Sequence, residues 1–445
     1  MIEDFFYTPQ IMSYIYILIA LFSFFLYLDK RYLSFLLCYI ALMTDLFMLD
    51  TIGSAIRGSD LCLCINLALF PFASFRRKKE KNNDKPISKC VNIFVVFILF
   101  EFAYTIFIGA DSAFNALKVI RIPLMFLVYY LFSIIPLIVY QRFLKIMLWI
   151  TIIQGVLFLL QFVGINLIAG NFEEDNFTFS YALNVPTLIY FYVLFVLESE
   201  YTKKIKYLLF IFFLVILLLT FVRAKIISIL LCIAIYVLRR GLKKTITIIL
   251  LVLLVSPIAI MILDVKSTAS KSGMSTKEEI ALILSGPDNV KEQVKYGGTS
   301  VFRMGMLIER FDYLMQNPQY MLFGVGAIHE DSPKCYNRFN FQLGTQNEDR
   351  YYGRCMIESG DITWVPIILR YGIVGVVMHL SIILVIAIFS FKRKDILGIL
   401  FPLMMYYFVS SFNGALFDRV TPFVVFSLYL SLLAKCEVER KELRI

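Results

Sequence analysis

The chain has 445 residues, of which 60% are hydrophobic, 16% aromatic and 17% charged, with a formal net charge of +10. A soluble domain carries about 25% charged residues, so this composition excludes a water-covered globule. The apolar residues come in runs of roughly 15–25, the length that crosses ~30 Å of hydrocarbon at ~1.5 Å per residue. Alternation over ~10 residues, the signature of a membrane barrel, is absent. Backbone groups in lipid must be paired within their own segment, so the runs are helices.

The N-terminal MIEDFFYTPQ has no basic region ahead of its apolar run and reads as an outside tail, not a cleaved signal peptide. Thirteen spans follow, near 11–28, 32–49, 59–75, 90–110, 119–140, 144–168, 180–197, 207–222, 226–238, 245–264, 362–390, 396–413 and 420–434. The fold class is therefore an all-α polytopic membrane protein of about 12–13 helices. It divides into an N-terminal bundle, 1–264, a large hydrophilic loop, 265–361, and C-terminal helices with a tail, 362–445. Alternate connections and the tail carry 25 of the 43 Lys and Arg. The intervening short loops carry six: Arg57, Lys118, Arg121, Arg223, Lys225 and Arg419. By the positive-inside rule the N-terminus and the large loop face outward and the C-terminus is cytoplasmic. The positive charge thus belongs to the membrane surface, and nucleic acid is not an expected partner.

Residues 207–238 lack a Gly or Pro turn. One continuous helix of that length would be ~48 Å long and would place Lys203–Lys206 and Arg239–Arg240 on opposite sides. A hairpin with Arg223-Ala224-Lys225 at its outer tip is expected instead, its cations snorkelling to the interface. In the loop, Thr299 or Ser300 is an N-cap candidate for the helix VFRMGMLIERFDYLMQ, which Asn317-Pro318 ends. Leu307, Phe311 and Leu314 repeat at helical spacing on one face. Arg303 and Arg310 share the other, as in an amphipathic helix lying on the outer membrane surface.

Few residues in the chain carry chemistry. Cys335 and Cys355 in the loop either pair, closing a loop worth roughly 3 kcal/mol in the entropy model, or stay free thiols. The other six cysteines lie in or beside spans and read as packing, Cys62-x-Cys64 included. No CxxC pair, HExxH or other metal-site spacing occurs, so neither metal nor cofactor is implied. Of two histidines, His379 sits mid-span, where an interhelical hydrogen bond is expected. His329, in FGVGAIHED, is either a polar surface residue or the loop's one imidazole for acid–base work. Arg370 lies about two turns into an apolar run, where a cation costs several kcal/mol unless paired or facing water. Glu358 and Asp361 flank the start of that run, and Asp361 also suits an N-cap. Arginines that bind phosphate, next to a carboxylate or imidazole that takes a hydroxyl proton, suit a lipid-linked phosphate donor and a hydroxyl acceptor. An anion transporter could show similar arginines.

Three segments and the topology resemble the Wzy-type polysaccharide polymerases and the related O-antigen ligases. The segments are TFVRAKIISILL at 220–231, FRMGMLIERFDYLMQNPQYMLFGVGAIHED at 302–331 and ESGDITWVPIILRYGIVGVV at 358–377; the topological feature is one long outer loop late in the chain. Arg223 matches the family's arginine at a hairpin tip, although Val222 replaces the usual serine. Arg303 with Gly324-Val325-Gly326, and Glu358, Asp361, Gly372 and Gly375, match two further motifs. The resemblance implies a GT-C-like membrane glycosyltransferase at the periplasmic face of a bacterial inner membrane. It would join repeat units carried on undecaprenyl pyrophosphate into O-antigen or capsular polysaccharide, with the bilayer and a chain-length regulator as partners. Arg223, Arg303 and Arg370 would hold the pyrophosphate. Glu358 or His329 would activate the acceptor hydroxyl, and Asp361 would orient it. Tyr336, Phe339, Phe341, Tyr351 and Tyr352 would stack on sugars or pack the loop's own core. The ligases carry a His-Asn where this chain has Glu358, which favours the polymerase. A polymer ligase acting on a lipid A-core acceptor, and a transporter or flippase, remain alternatives. Against a transporter stand the lack of internal repeats and of spans broken by Gly or Pro.

Overall fold

The computed structural model describes residues 9–43, 57–79, 85–161, 174–175, 178–179, 186–219, 223–240, 276–294, 299–330, 332–339, 341, 343, 357, 362–412, 414 and 416–439. They are almost entirely helical, apart from a two-residue antiparallel ladder between Glu174–Asp175 and Thr178–Phe179. Among the described residues, six helices are long and apolar enough to cross a membrane: Gly58–Arg77, Pro86–Phe107, Ala113–Phe132, Leu137–Leu160, Trp364–Phe391 and Val420–Val438. This is the all-α, polytopic architecture that the apolar runs predict. The expected span at 245–264 lies outside the described residues.

In chain order the first helices are α1 (Pro9–Leu28), α2 (Tyr32–Leu42), α3 (Gly58–Lys79) and α4 (Lys85–Phe107). Then α5 (Ala113–Leu124) runs through a 3-10 turn, Met125–Leu127, into α6 (Val128–Phe132), and α7 (Leu137–Leu160) follows. The sequence places this boundary near Gln141–Phe143; it falls instead at Pro136. That residue is the N-cap of α7, with ψ 148. Proline has no N–H to donate and is best placed where a helix begins. Arg142 and Lys145 consequently sit within α7, in its second and third turns.

Next come α8 (Ile189–Glu198), α9 (Lys203–Leu218) and α10 (Arg223–Arg240). Helices α9 and α10 form the expected hairpin. Tyr236, near the end of α10, donates to the carboxylate of Glu198, just ahead of α9, so the two run antiparallel. The loop contributes α11 (Thr276–Leu284), α12 (Pro287–Gln293), α13 (Thr299–Gln316) and α14 (Pro333–Arg338). The chain closes with α15 (Trp364–Phe391), a 3-10 turn Ile396–Ile399 leading into α16 (Leu400–Ser410), and α17 (Val420–Glu439).

Helix α13 begins at Thr299, one of its two N-cap candidates, and stops before Asn317, but its faces do not divide as expected: Leu314 is buried as predicted, yet Arg310 is buried too. Arg310 is fully buried, its guanidinium 4.1 Å from the Phe341 ring and 2.6 Å from Glu309, whereas Phe311 is 41% exposed. The helix packs on α15 and on a small loop core of Leu314, Phe339, Phe341 and Ile357. Arg310 fits there because its charge is paired and its flat face stacks on a ring. Phe339 and Phe341 stack on each other at 5.5 Å and are buried, so they pack the loop core. Cys335 is buried in the same cluster, and Cys355 lies outside the described residues.

The two ends of the bundle differ. At one end the loop segment 327–334 bonds to the last turn of α4 and to the α4–α5 turn. At the other, Arg76 donates to the Leu28 carbonyl and the Tyr32 hydroxyl, and Arg239 donates to the Gly398 carbonyl.

Candidate anion-binding site

The site begins with a break in α15. An uninterrupted helix would bond Ile373 N–H to the Leu369 carbonyl and Val374 N–H to the Arg370 carbonyl. Neither bond forms, because Gly372 takes φ 61 and ψ −160. Segment 321–326 enters the gap and satisfies all four groups. Val325 N–H donates to Leu369 O at 2.9 Å and Gly326 N–H to Arg370 O at 3.0 Å. In return Ile373 N–H donates to Met321 O at 3.0 Å and Val374 N–H to Leu322 O at 3.1 Å. Irregular backbone at membrane depth persists only where its polar groups are paired in this way.

Glycine is required at both contacts. A Cβ on Gly324 would lie 2.3 Å from the Arg370 carbonyl oxygen, and one on Gly372 would lie 2.5 Å from that of Leu322. Two motifs far apart in sequence, Gly324-Val325-Gly326 and the Gly372 step, are thus the two halves of one joint. The sequence shows the glycines without showing that they meet. The expectation that no span is broken by glycine is overturned here: Gly372 breaks one.

The residues after the joint are tied to the α4–α5 turn. Ala327 N–H donates to Thr105 Oγ1 at 2.8 Å, and Lys334 Nζ donates to the Gly109 carbonyl at 2.6 Å. Asp111 is the centre of this junction. Its Oδ2 accepts from His329 N–H at 3.0 Å, and its Oδ1 accepts from the Ser332 hydroxyl, the Asn115 amide and Ser112 N–H. Burial by itself would raise the Asp111 carboxyl. The donors from His329, Asn115, Ser112 and Ser332 outweigh it and hold the group below its ordinary value. From the other side, Arg370 Nε donates to the Ile328 carbonyl at 3.1 Å. His329 is therefore held between α15 and the α4–α5 turn.

Beside His329 lies a cavity of ≈ 300 Å³. Its wall carries four cations, Arg57, Lys118, Arg121 and Arg370, both histidines of the chain, His329 and His379, and one carboxylate, Asp418. Arg57 precedes α3, Lys118 and Arg121 lie on one face of α5, and Arg370 sits just before the break in α15. Arg121 is partly neutralised by Asp60, at 2.8 Å, and Lys118 lies 4.8 Å from the Phe114 ring. Val119, Ile122, Pro123, Pro366, Ile367 and Phe417 complete the lining between these polar groups. Cations gathered in a cleft focus their field and attract anions more strongly than the same charges spread over an open surface.

The structure brings together two of the residues expected from sequence, Arg370 and His329. Arg303, in the second turn of α13, does not line the cavity. Arg223 begins α10, and its side chain lies outside the described residues, as do Glu358, Asp361, Tyr336, Tyr351 and Tyr352. Arg57, Lys118 and Arg121 enter the sequence reading only as the minority cations of the orientation rule. That minority was the available signal, since a cation kept against the bias calls for a reason. Among the described residues His379 shows no interhelical bond of the expected kind: its Nδ1 bonds the Gly375 carbonyl of its own helix at 2.8 Å. Compared with known proteins, the chain matches no protein-family model and no curated protein.

Proposed function

We propose that the protein is a membrane glycosyltransferase that joins lipid-linked oligosaccharide repeat units into polysaccharide at the outer face of a bacterial cytoplasmic membrane. The donor in this reading is a glycan on undecaprenyl pyrophosphate, and the acceptor is a sugar hydroxyl of a second lipid-linked unit. The product class is O-antigen or capsule. The supporting observation is the cavity whose wall joins Arg57, Lys118, Arg121 and Arg370 to two imidazoles. Guanidinium groups bind phosphate through paired donors. Stabilising the departing pyrophosphate lowers the barrier where charge develops. Orientation follows from the Lys/Arg bias, which puts the cavity outside and the C-terminus in the cytoplasm. A reporter fused near residue 300 and found in the cytoplasm would remove the whole reading.

The resemblance offers Glu358, oriented by Asp361, or else His329 as the group that activates the acceptor. Expression of Arg57→Ala, Arg223→Ala, Arg370→Ala and Glu358→Gln variants in the native host, with polysaccharide length read on gels, tests the assignment. Loss of long chains is expected from Arg57→Ala and Arg370→Ala at normal protein levels. Wild-type length in both would refute the pyrophosphate site. Loss of attachment to the lipid anchor with unchanged length would move the assignment to the ligase. One observation favours a second reading, an anion transporter or flippase. Transporters place broken helices at their binding sites, and α15 is broken beside Arg370. Uptake or flipping of labelled substrate without chain growth would select it.

A further inference from the structure

His379 is the deepest polar group on the cavity wall along α15, nine residues beyond Arg370. It is 1% exposed and boxed by the rings of Phe94 at 5.2 Å, Tyr371 at 5.9 Å, Phe417 at 5.1 Å and Phe423 at 6.2 Å. A carbonyl oxygen can only accept, so the 2.8 Å contact with Gly375 O makes Nδ1 the protonated nitrogen. In the neutral ring Nε2 is then the bare acceptor, and it has no hydrogen-bond partner among the described residues. Side chains on a helix lean toward its N-terminus, which for His379 is the end that carries Arg370 and the loop. The ring is thus fixed by one hydrogen bond and four aromatic walls, with its one lone-pair nitrogen on a residue that lines the cationic cavity.

We infer that His379, through Nε2, is the proton acceptor of this cavity, taking the proton of a sugar hydroxyl while the cations around Arg370 hold the donor's pyrophosphate. The inference rests on the transferase reading and assigns its base to the membrane helix instead of to the loop. The hydroxyl O–H bond breaks and its proton goes to Nε2. The oxygen's electron pair forms the new bond to the anomeric carbon. The anomeric C–O bond to phosphate breaks, and its electron pair leaves with the pyrophosphate, which can then take the proton back from the imidazolium. Gly375 O holds the Nδ1–H of that imidazolium throughout.

The chain has only two histidines, so a His329→Gln variant leaves one imidazole to follow. The full-length variant in lipid nanodiscs is treated with diethyl pyrocarbonate, with and without inorganic pyrophosphate, and His379 carbethoxylation is read by peptide mass spectrometry. Modification of the folded protein is expected. Pyrophosphate at about ten times its Kd leaves about a tenth of sites free and should slow the reaction about ten-fold. If His379 reacts only after unfolding in detergent, or reacts at the same rate with pyrophosphate present, the inference is overturned. This labelling does not depend on turnover, so it stands apart from failure of the transferase reading. If transfer is observed, His379→Gln should lower its rate by about 10²–10⁴-fold while pyrophosphate binding is kept. Transfer unchanged in that variant would equally overturn the assignment.

Discussion

Replacing Gly372 with alanine tests the joint in α15 by the sign of its effect. In an ordinary continuous helix, Gly→Ala stabilises by about 0.8–1 kcal/mol. In the broken helix two costs arise. An L-residue held at φ 61 and ψ −160 is strained by about 1–3 kcal/mol. The new methyl would also lie 2.5 Å from Leu322 O and 2.6 Å from Gly324 N. Both are backbone atoms, so relief requires the inserted segment to withdraw, an overpacking cost of about 1–3 kcal/mol. The sum is a loss of about 2–6 kcal/mol, opposite in sign to the continuous-helix case. Thermal unfolding of the purified protein in detergent, with hydrogen exchange of the peptide covering 369–376, measures both stability and the joint. Gly324→Ala should act in the same direction, since its Cβ would meet Arg370 O at 2.3 Å. If Gly372→Ala raises stability and protection at 373 and 374, α15 is continuous and the insertion argument fails.

Other perturbations separate the roles of neighbouring groups. Asp111→Asn should cost about 1.5–3 kcal/mol locally, the worth of a hydrogen bond to a charged group, and speed amide exchange at His329; unchanged exchange there would deny Asp111 its role. Because the Asp111 carboxyl is held below its ordinary value of 3.8, its stabilisation is complete above that value and is lost as pH falls through the folded-state value. Wild-type protection of 327–332 should therefore fall on acidification below the ordinary carboxylate range, with little change between neutral pH and 5; a loss nearer neutral pH would point to another group. Arg310→Ala should destabilise by about 1–3 kcal/mol, as most disruptive single changes do, because it removes a fully buried side chain from over Phe341 and from its pairing with Glu309; a neutral thermal shift would contradict that. Arg57→Ala should weaken pyrophosphate binding about ten-fold, or roughly 1.4 kcal/mol, at low salt and less at high salt as screening grows, measured by calorimetry; an effect independent of salt would argue against direct attraction.

Several features set by short-range chemistry are legible in the sequence, although the helix start at Pro136 is not among them. The α9–α10 turn follows from the length of the apolar run and the cations at both of its ends. The end of α13 follows from Asn317-Pro318, because the residue before a proline avoids helical dihedrals. Contacts between distant segments were not legible. Hydropathy averages over Gly372, which lies in an apolar run and changes neither its length nor its mean polarity. Nothing in 321–326 by itself announces that its amides will cap another helix. On α13 the exception is Arg310: a charge pattern says solvent by default, and only its meeting with Glu309 and Phe341 buries it. Arg57, Lys118 and Arg121 were visible as exceptions to a charge bias, but their convergence needed three helices in register.

The joint also constrains how the protein is made. Residues 321–326 leave the ribosome before α15, yet α15 must pass into lipid with its own backbone bonds satisfied. It can do so as an uninterrupted helix, with 373 bonded to 369 and 374 to 370. Opening it afterwards trades those two bonds for four with the waiting segment. The cationic recess around Arg370 is thus completed only after the last long loop has met the helix that follows it. Truncated chains that end before α15 should reach the membrane without forming it.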